Sequence, residues 1–194
     1  MSNEGLLILA VIEAVCLLAL GAGALVLVRR LKAGREALWT LSRRDALTGV
    51  GNYRALHERL AEEIGRHARR GREFALILID LDGFKQINED LGHLEGDRLL
   101  AEIGTALCEE LRGEDAVFRQ GGDEFAVIAP ETNGEEAEDV AARIRNCVRR
   151  CSREELPISG GTGFAIFPGD GRSAEQLLGC ADADLLGSKR GGRS

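Results

Sequence analysis

The chain has 194 residues, 44% of them apolar and 29% charged, which is enough for one ordinary domain with a core and a small appendage. A formal net charge of −7 and a pI of about 5.1 exclude the basic face by which a domain grips a nucleic-acid polymer. The five cysteines, Cys16, Cys108, Cys147, Cys151 and Cys180, are odd in number and form no CxxC pair, so they read as reduced, packed thiols rather than a disulfide framework or a zinc site.

Residues 5–28, GLLILAVIEAVCLLALGAGALVLV, are broken by a single charge, Glu13, and predict one transmembrane helix. RRLKAGR follows at once while MSNE before it holds no Lys or Arg, which predicts a single pass with the rest of the chain in the cytoplasm. Residues 29–44 continue as a charged linking helix with Leu31, Leu38 and Leu41 on one side, and residues 45–194 make up the domain.

Leu56, Leu60 and Ile64 repeat every four residues and predict a helix stopped by Gly71. FALILI (74–79) is an unbroken apolar run, as expected of a central strand covered on both faces and ending at Asp80. Two helices, 84–91 and 94–111, are predicted around a break at Gly92-His93. Residues 116–129 read as two strands joined at Gly121-Gly122, a hairpin in which Glu124 would face Arg119. A helix over 135–150, a glycine-rich strand over 158–167 and a last helix capped by Ser173 and running toward Ala181 complete the pattern. The fold class is therefore α+β, with a ferredoxin-like βαββαβ core preceded by the transmembrane helix.

That order brings the end of strand 74–79 beside the hairpin turn. Asp80 and Asp82 of IDLD, with Asp123 and Glu124 of GGDE, then supply hard oxygen ligands and no histidine, a set suited to Mg²⁺ and through it to phosphates. From spacing alone, a solvated turn and a metal site stand level. There is no GxxxxGK[ST] loop, so a phosphate cradle would have to come from the DGF backbone, Lys85 and the tail cations Lys189 and Arg193.

Four segments, DALTGVGN (45–52), IDLDGFKQINEDLGHLEGD (79–97), RGEDAVFRQGGDEF (112–125) and ADADLLGSKRGGR (181–193), resemble the successive motifs of GGDEF-domain diguanylate cyclases. The resemblance implies a nucleotidyl-cyclase-like homodimer that condenses two GTP into cyclic di-GMP and pyrophosphate with Mg²⁺; the apolar run and its basic flank would hold it at the cytoplasmic membrane. It implies Asp80, the Leu81 carbonyl, Asp123 and Glu124 as metal ligands, with Glu124 also assisting deprotonation of the attacking hydroxyl. Asn88 and Asp97 match guanine contacts; Lys85, Lys189 and Arg193, with the Gly83 and Phe84 backbone, match triphosphate contacts. Arg112 and Asp115 of RGED, with Arg143, match a feedback site for the product. The alternative is a catalytically silent module that binds GTP or cyclic di-GMP and signals by protein contact. The chain departs from the family pattern at Tyr53, Leu186 and Ser188, and in the extra glycines of ISGGTGFA.

Overall fold

The computed structural model describes residues 43–191. The apolar segment 5–28, all but the last two residues of the linker, and Arg193 lie outside them. Among the described residues, no helix is long and apolar enough to cross a membrane. Arg43–Ser194 is one compact unit.

Its centre is β2 (Phe74–Asp82). Alternation along this strand sends Ala75, Ile77, Ile79 and Leu81 into one core cluster and Phe74, Leu76 and Leu78 into another, so an unbroken apolar run is what a strand covered on both sides requires. After β2 come α2 (Phe84–Leu91) and α3 (His93–Glu110), then the hairpin β3 (Ala116–Gly121) and β4 (Glu124–Pro130), α4 (Gly134–Arg150) and β5 (Ser159–Phe167). The strands lie in the order β3-β4-β2-β5 with antiparallel neighbours throughout, the expected ferredoxin-like arrangement. A short β1 (Gly51–Asn52) adds to the edge parallel to β3, making five strands.

Helices α2, α3 and α4 cover the first face of the sheet. The second face carries α1 (Tyr53–Arg70) and α5 (Ala174–Gly191). Local signals set the helix ends. The Asn52 side chain accepts from the Ala55 amide at 3.0 Å to start α1, and Gly71, at φ 61°, ends it in the left-handed conformation that glycine adopts without strain. Asn133 and Glu136 form a reciprocal capping box on α4. On the inner side of α1, Glu63 is fully buried, with Arg59 at 2.8 Å, Arg66 at 3.2 Å and His67 at 3.1 Å; the four-residue apolar repeat gave no sign of this ionic cluster.

Three expectations need correction. Strand β2 continues through Asp80 to Asp82, because β5 keeps pairing with it as far as Ser159. The hairpin turn is Gly122-Asp123 rather than Gly121-Gly122, since Gly121 is already the partner of Glu124. A bulge between Arg119 and Gly121 shifts the register, so Arg119 lies opposite Phe125 and not Glu124. The last helix does begin after Ser173, whose hydroxyl accepts from the Gln176 amide at 3.3 Å, but it runs ten residues past Ala181 because β5 offers it a glycine track to lie on.

Candidate active site

The acidic residues gather at one end of β2 and β4. Asp80 is the register partner of Glu124, and the Leu81 amide donates to the Asp123 carbonyl at 3.3 Å, tying β2 to the turn. Asp123 is half-buried and Glu124 exposed. A cleft of about 210 Å³ between α1 and α5, lined in part by Tyr53, His57, Gln120 and Asp182, opens directly onto Glu124. The expected four-carboxylate ligand set is not preassembled: among the described residues, no three acidic, His or Cys side chains converge as a metal cage.

What meets the carboxylates instead is Lys189. Asp80 and Asp82 prolong the face of β2 that carries Phe74, Leu76 and Leu78, the face α5 covers, so a cation from α5 reaches both. Lys189 Nζ pairs with Asp80 Oδ2 and lies 2.9 Å from Asp82 Oδ1. Burial draws this ammonium below its ordinary pKa. The glycines of β5 explain how α5 comes so close: a Cβ at Gly163 would sit 2.1 Å from the Leu185 nitrogen and 2.4 Å from the Ala181 carbonyl oxygen. One at Gly161 would sit 2.7 Å from Lys189 Cε. The extra glycines are thus the bed on which the lysine-bearing helix lies.

A second network braces the turn from behind. Arg119 Nη2 and Nε donate to the Gly122 carbonyl at 2.6 and 3.0 Å, while its Nη1 donates to Asp45 Oδ1 at 3.2 Å. The same Asp45 oxygen accepts from the Thr48 hydroxyl at 2.7 Å and the Thr48 amide at 2.9 Å. Partial burial would raise the Asp45 pKa, but the Thr48 hydrogen bonds and Arg119 outweigh it and hold the carboxyl below its usual value. Neither Asp45 nor Arg119 stood out as functional in the sequence. The only signal was D-x-x-T, a common turn whose side chain bonds the backbone three residues on.

On the other side of the carboxylates, Gly83 (φ 95°) starts α2 with no side-chain cap. This leaves the Gly83-Phe84-Lys85 amides free of intrahelical partners, a natural place for phosphate oxygens. Phe84 is buried and anchors the turn. Lys85 points outward into solvent, its Nζ 3.7 Å from Glu89. Asn88 packs over Gly96, where an added Cβ would fall 2.1 Å from its Oδ1, next in sequence to Asp97. A carboxamide and a carboxylate together have the acceptors and donor that the guanine edge with its N1–H, N2–H₂ and O6 requires.

Of the residues read as a product site, Arg112 and Arg143 line one cleft of about 440 Å³ with Asp139 and Asn146. Asp115 turns back, accepting from the Arg112 amide at 3.0 Å; burial raises its pKa, and Arg112 and Arg143 offset only part of that. The cleft is separate from the Asp80 end of the sheet.

The donors present fit Mg²⁺. They are all hard oxygens, a cation already finds Asp80 favourable, and Mg²⁺ is commonly held by one or two carboxylates plus substrate phosphates rather than by a full protein cage.

Residues 42–194 match the family described as "Diguanylate cyclase, GGDEF domain". The diguanylate cyclase DgcP of Pseudomonas aeruginosa is 39% identical over 153 residues, which are 77% of this chain and 23% of that protein. The crystal structure of the diguanylate cyclase SiaD from P. aeruginosa, in complex with its activator SiaC, aligns at a TM-score of 0.71 with 37% identity, covering 98% of this chain and 75% of that one. The coiled coil and GGDEF domain of DgcB from Caulobacter crescentus, in complex with c-di-GMP, aligns at a TM-score of 0.70 with 29% identity, covering 91% and 96%. The chain spans 21% to 24% of the length of four curated relatives it matches. The match of the family over residues 42–194, the likeness in fold to the solved cyclases and the turn that carries GGDEF place this chain in the GGDEF-domain diguanylate cyclase family.

Proposed function

We propose that the protein is a diguanylate cyclase that condenses two GTP into cyclic di-GMP and two pyrophosphates with Mg²⁺. The observation that carries this reading is the meeting of Asp80, the Gly122-Asp123 turn and Glu124 at one sheet end, beside an uncapped helix start and the Asn88-Asp97 pair. In each half-reaction a 3′-oxygen forms a bond to the α-phosphorus of the facing nucleotide. The bond from that phosphorus to the bridging oxygen breaks, pyrophosphate leaves with the electron pair, and the hydroxyl proton departs toward the Glu124 side.

Such a displacement needs in-line placement and charge neutralisation more than a protein nucleophile. Asp80, the Leu81 carbonyl, Asp123 and Glu124 would hold Mg²⁺, which supplies neutralisation of the phosphate charge. Asn88 and Asp97 hold guanine, and the Gly83-Phe84 backbone, Lys85, Lys189 and Arg193 the triphosphate. Lys85 lies on the outer side of α2, so its stem must swing inward to take part.

The reaction consumes two GTP, and in this reading each domain holds one guanine through Asn88 and Asp97, which supports a homodimer with its two sites face to face. Arg112, Asp115 and Arg143 form the product feedback site in this reading; the cleft that Arg112 and Arg143 share and the solved complex of DgcB with c-di-GMP support it. Residues 45–194 are the catalytic domain, 29–44 the linker and 1–28 a single-pass anchor in the cytoplasmic membrane, a placement supported by the apolar run and its basic flank.

Replacement of Asp123 by Ala tests the assignment. A folded Asp123→Ala protein should lose Mg²⁺-dependent conversion of GTP; full activity in that folded variant overturns the metal reading.

A further inference from the structure

Lys189 stands where a metal ligand set would be expected to hold its ion, and the way it gets there is informative. Asp80 and Gly161 are register partners. The lysine stem crosses the bare β5 backbone at Gly161, where a Cβ would come within 2.7 Å of Lys189 Cε. From there Nζ pairs with both carboxylates of β2.

The helix beneath it is pinned. The Ser188 hydroxyl donates to the Leu185 carbonyl at 2.8 Å and the Thr162 carbonyl at 3.2 Å, and the Asp184 carboxylate accepts from the Phe164 amide at 2.9 Å. Any movement of the cation must therefore come from the flexible stem of the lysine and not from withdrawal of α5.

Resting on the reading of Asp80 as a metal ligand, we propose that Lys189 is a resident counter-cation that keeps a bare divalent ion off Asp80 and yields the position only when nucleotide arrives. In the free protein the ammonium relieves the repulsion between Asp80 and Asp82. An ion and an ammonium within about 4 Å of each other repel strongly, so they cannot share Asp80 Oδ2. Bound triphosphate gives Nζ a new set of oxygens and brings negative charge for the ion at the same moment. Metal and nucleotide then bind as a coupled pair, each raising the affinity of the other by the same factor. This adds a role in the empty enzyme to a residue otherwise assigned only to the triphosphate.

The test is Mn²⁺ binding to the full chain in detergent, followed by the electron paramagnetic resonance of the free ion, without nucleotide and with 3′-deoxy-GTP, which lacks the attacking hydroxyl. Lys189→Met, with Lys189→Gln as a second neutral variant, should bind Mn²⁺ roughly tenfold more tightly than wild type without nucleotide, the scale of one charge-assisted contact removed. With 3′-deoxy-GTP present that advantage should vanish. Lys189→Arg, which keeps the charge, should stay near wild type.

Equal Mn²⁺ affinity of the wild type and both folded neutral variants, together with weaker binding in Asp80→Asn, would overturn the counter-cation role while leaving the metal site standing. Unchanged Mn²⁺ binding in Asp80→Asn with 3′-deoxy-GTP would instead remove the metal-site reading and the proposal with it.

Discussion

Gly163→Ala puts a single methyl group between β5 and α5. Its Cβ would lie 2.1 Å from the Leu185 nitrogen, about 1.3 Å inside the 3.4 Å at which ordinary contact begins, and 2.4 Å from the Ala181 carbonyl oxygen. Both neighbours are backbone atoms, so no side chain can turn away and α5 itself must lift. Overpacking of this kind costs about 2 kcal/mol, which in a domain of this size lowers Tm by roughly 6 °C. One helical turn beyond Leu185 is Lys189, so the same shift displaces the ammonium from Asp80 and from its proposed place on the triphosphate. A displacement of about 1 Å in a positioning group costs on the order of a hundredfold in turnover.

Gly161→Ala is the comparison. Its Cβ meets Lys189 Cε at 2.7 Å, the far part of a flexible side chain, so stability should fall by less than about 1 kcal/mol while GTP turnover still drops. Differential scanning fluorimetry and initial rates of pyrophosphate release on the two variants separate the effects. A Gly163→Ala protein with wild-type Tm and wild-type rate would refute the packing argument.

Asp45→Asn removes an ionised acceptor shared by Thr48 and Arg119, and should cost about 2 kcal/mol at neutral pH, measured by urea unfolding. Because the folded carboxyl titrates below its ordinary value, its contribution is complete above the unfolded pKa near 3.8 and lost as pH falls through the folded pKa. The difference between wild type and Asp45→Asn should therefore shrink below about pH 4, and a constant difference across that range would contradict the assignment. Gly96→Ala pushes the Asn88 carboxamide out of its seat. The KM for GTP should rise by roughly tenfold or more with kcat less affected, and an unchanged KM would return Asn88 to the helix surface. Arg112→Ala should relieve inhibition by added cyclic di-GMP without lowering the initial rate; an inhibition curve identical to wild type would make RGED an ordinary turn.

The sheet and its helices were legible because each local signal agreed with the tertiary one. FALILI is apolar at every position since both faces of β2 are covered, and Gly71 ends α1 because only a left-handed residue fits there. The turn was misplaced by one residue because a bulge near Gln120 is invisible to a rule that reads glycine pairs as two-residue loops. The same bulge freed Arg119 from Glu124 and sent it to Gly122 and Asp45, a contact spanning 74 residues that no local pattern announces.

The glycines of β5 appeared as departures from a family pattern because the partner that needs them, the backbone of α5, is distant in sequence. The acidic residues that meet at the end of β2 and β4 were readable from IDLDGF and GGDEF. That Lys189 rests on Asp80 and Asp82 depends on strand parity together with the pinning of α5, and only the structure supplies both.

The most direct test of the central claim is to incubate the purified full chain with GTP and Mg²⁺ and look for cyclic di-GMP by mass spectrometry, with Glu124→Gln alongside. The account predicts product from the wild type and none from the folded Glu124→Gln protein. A folded, dimeric, GTP-binding wild type that makes no cyclic di-GMP would contradict it and assign the site to binding alone.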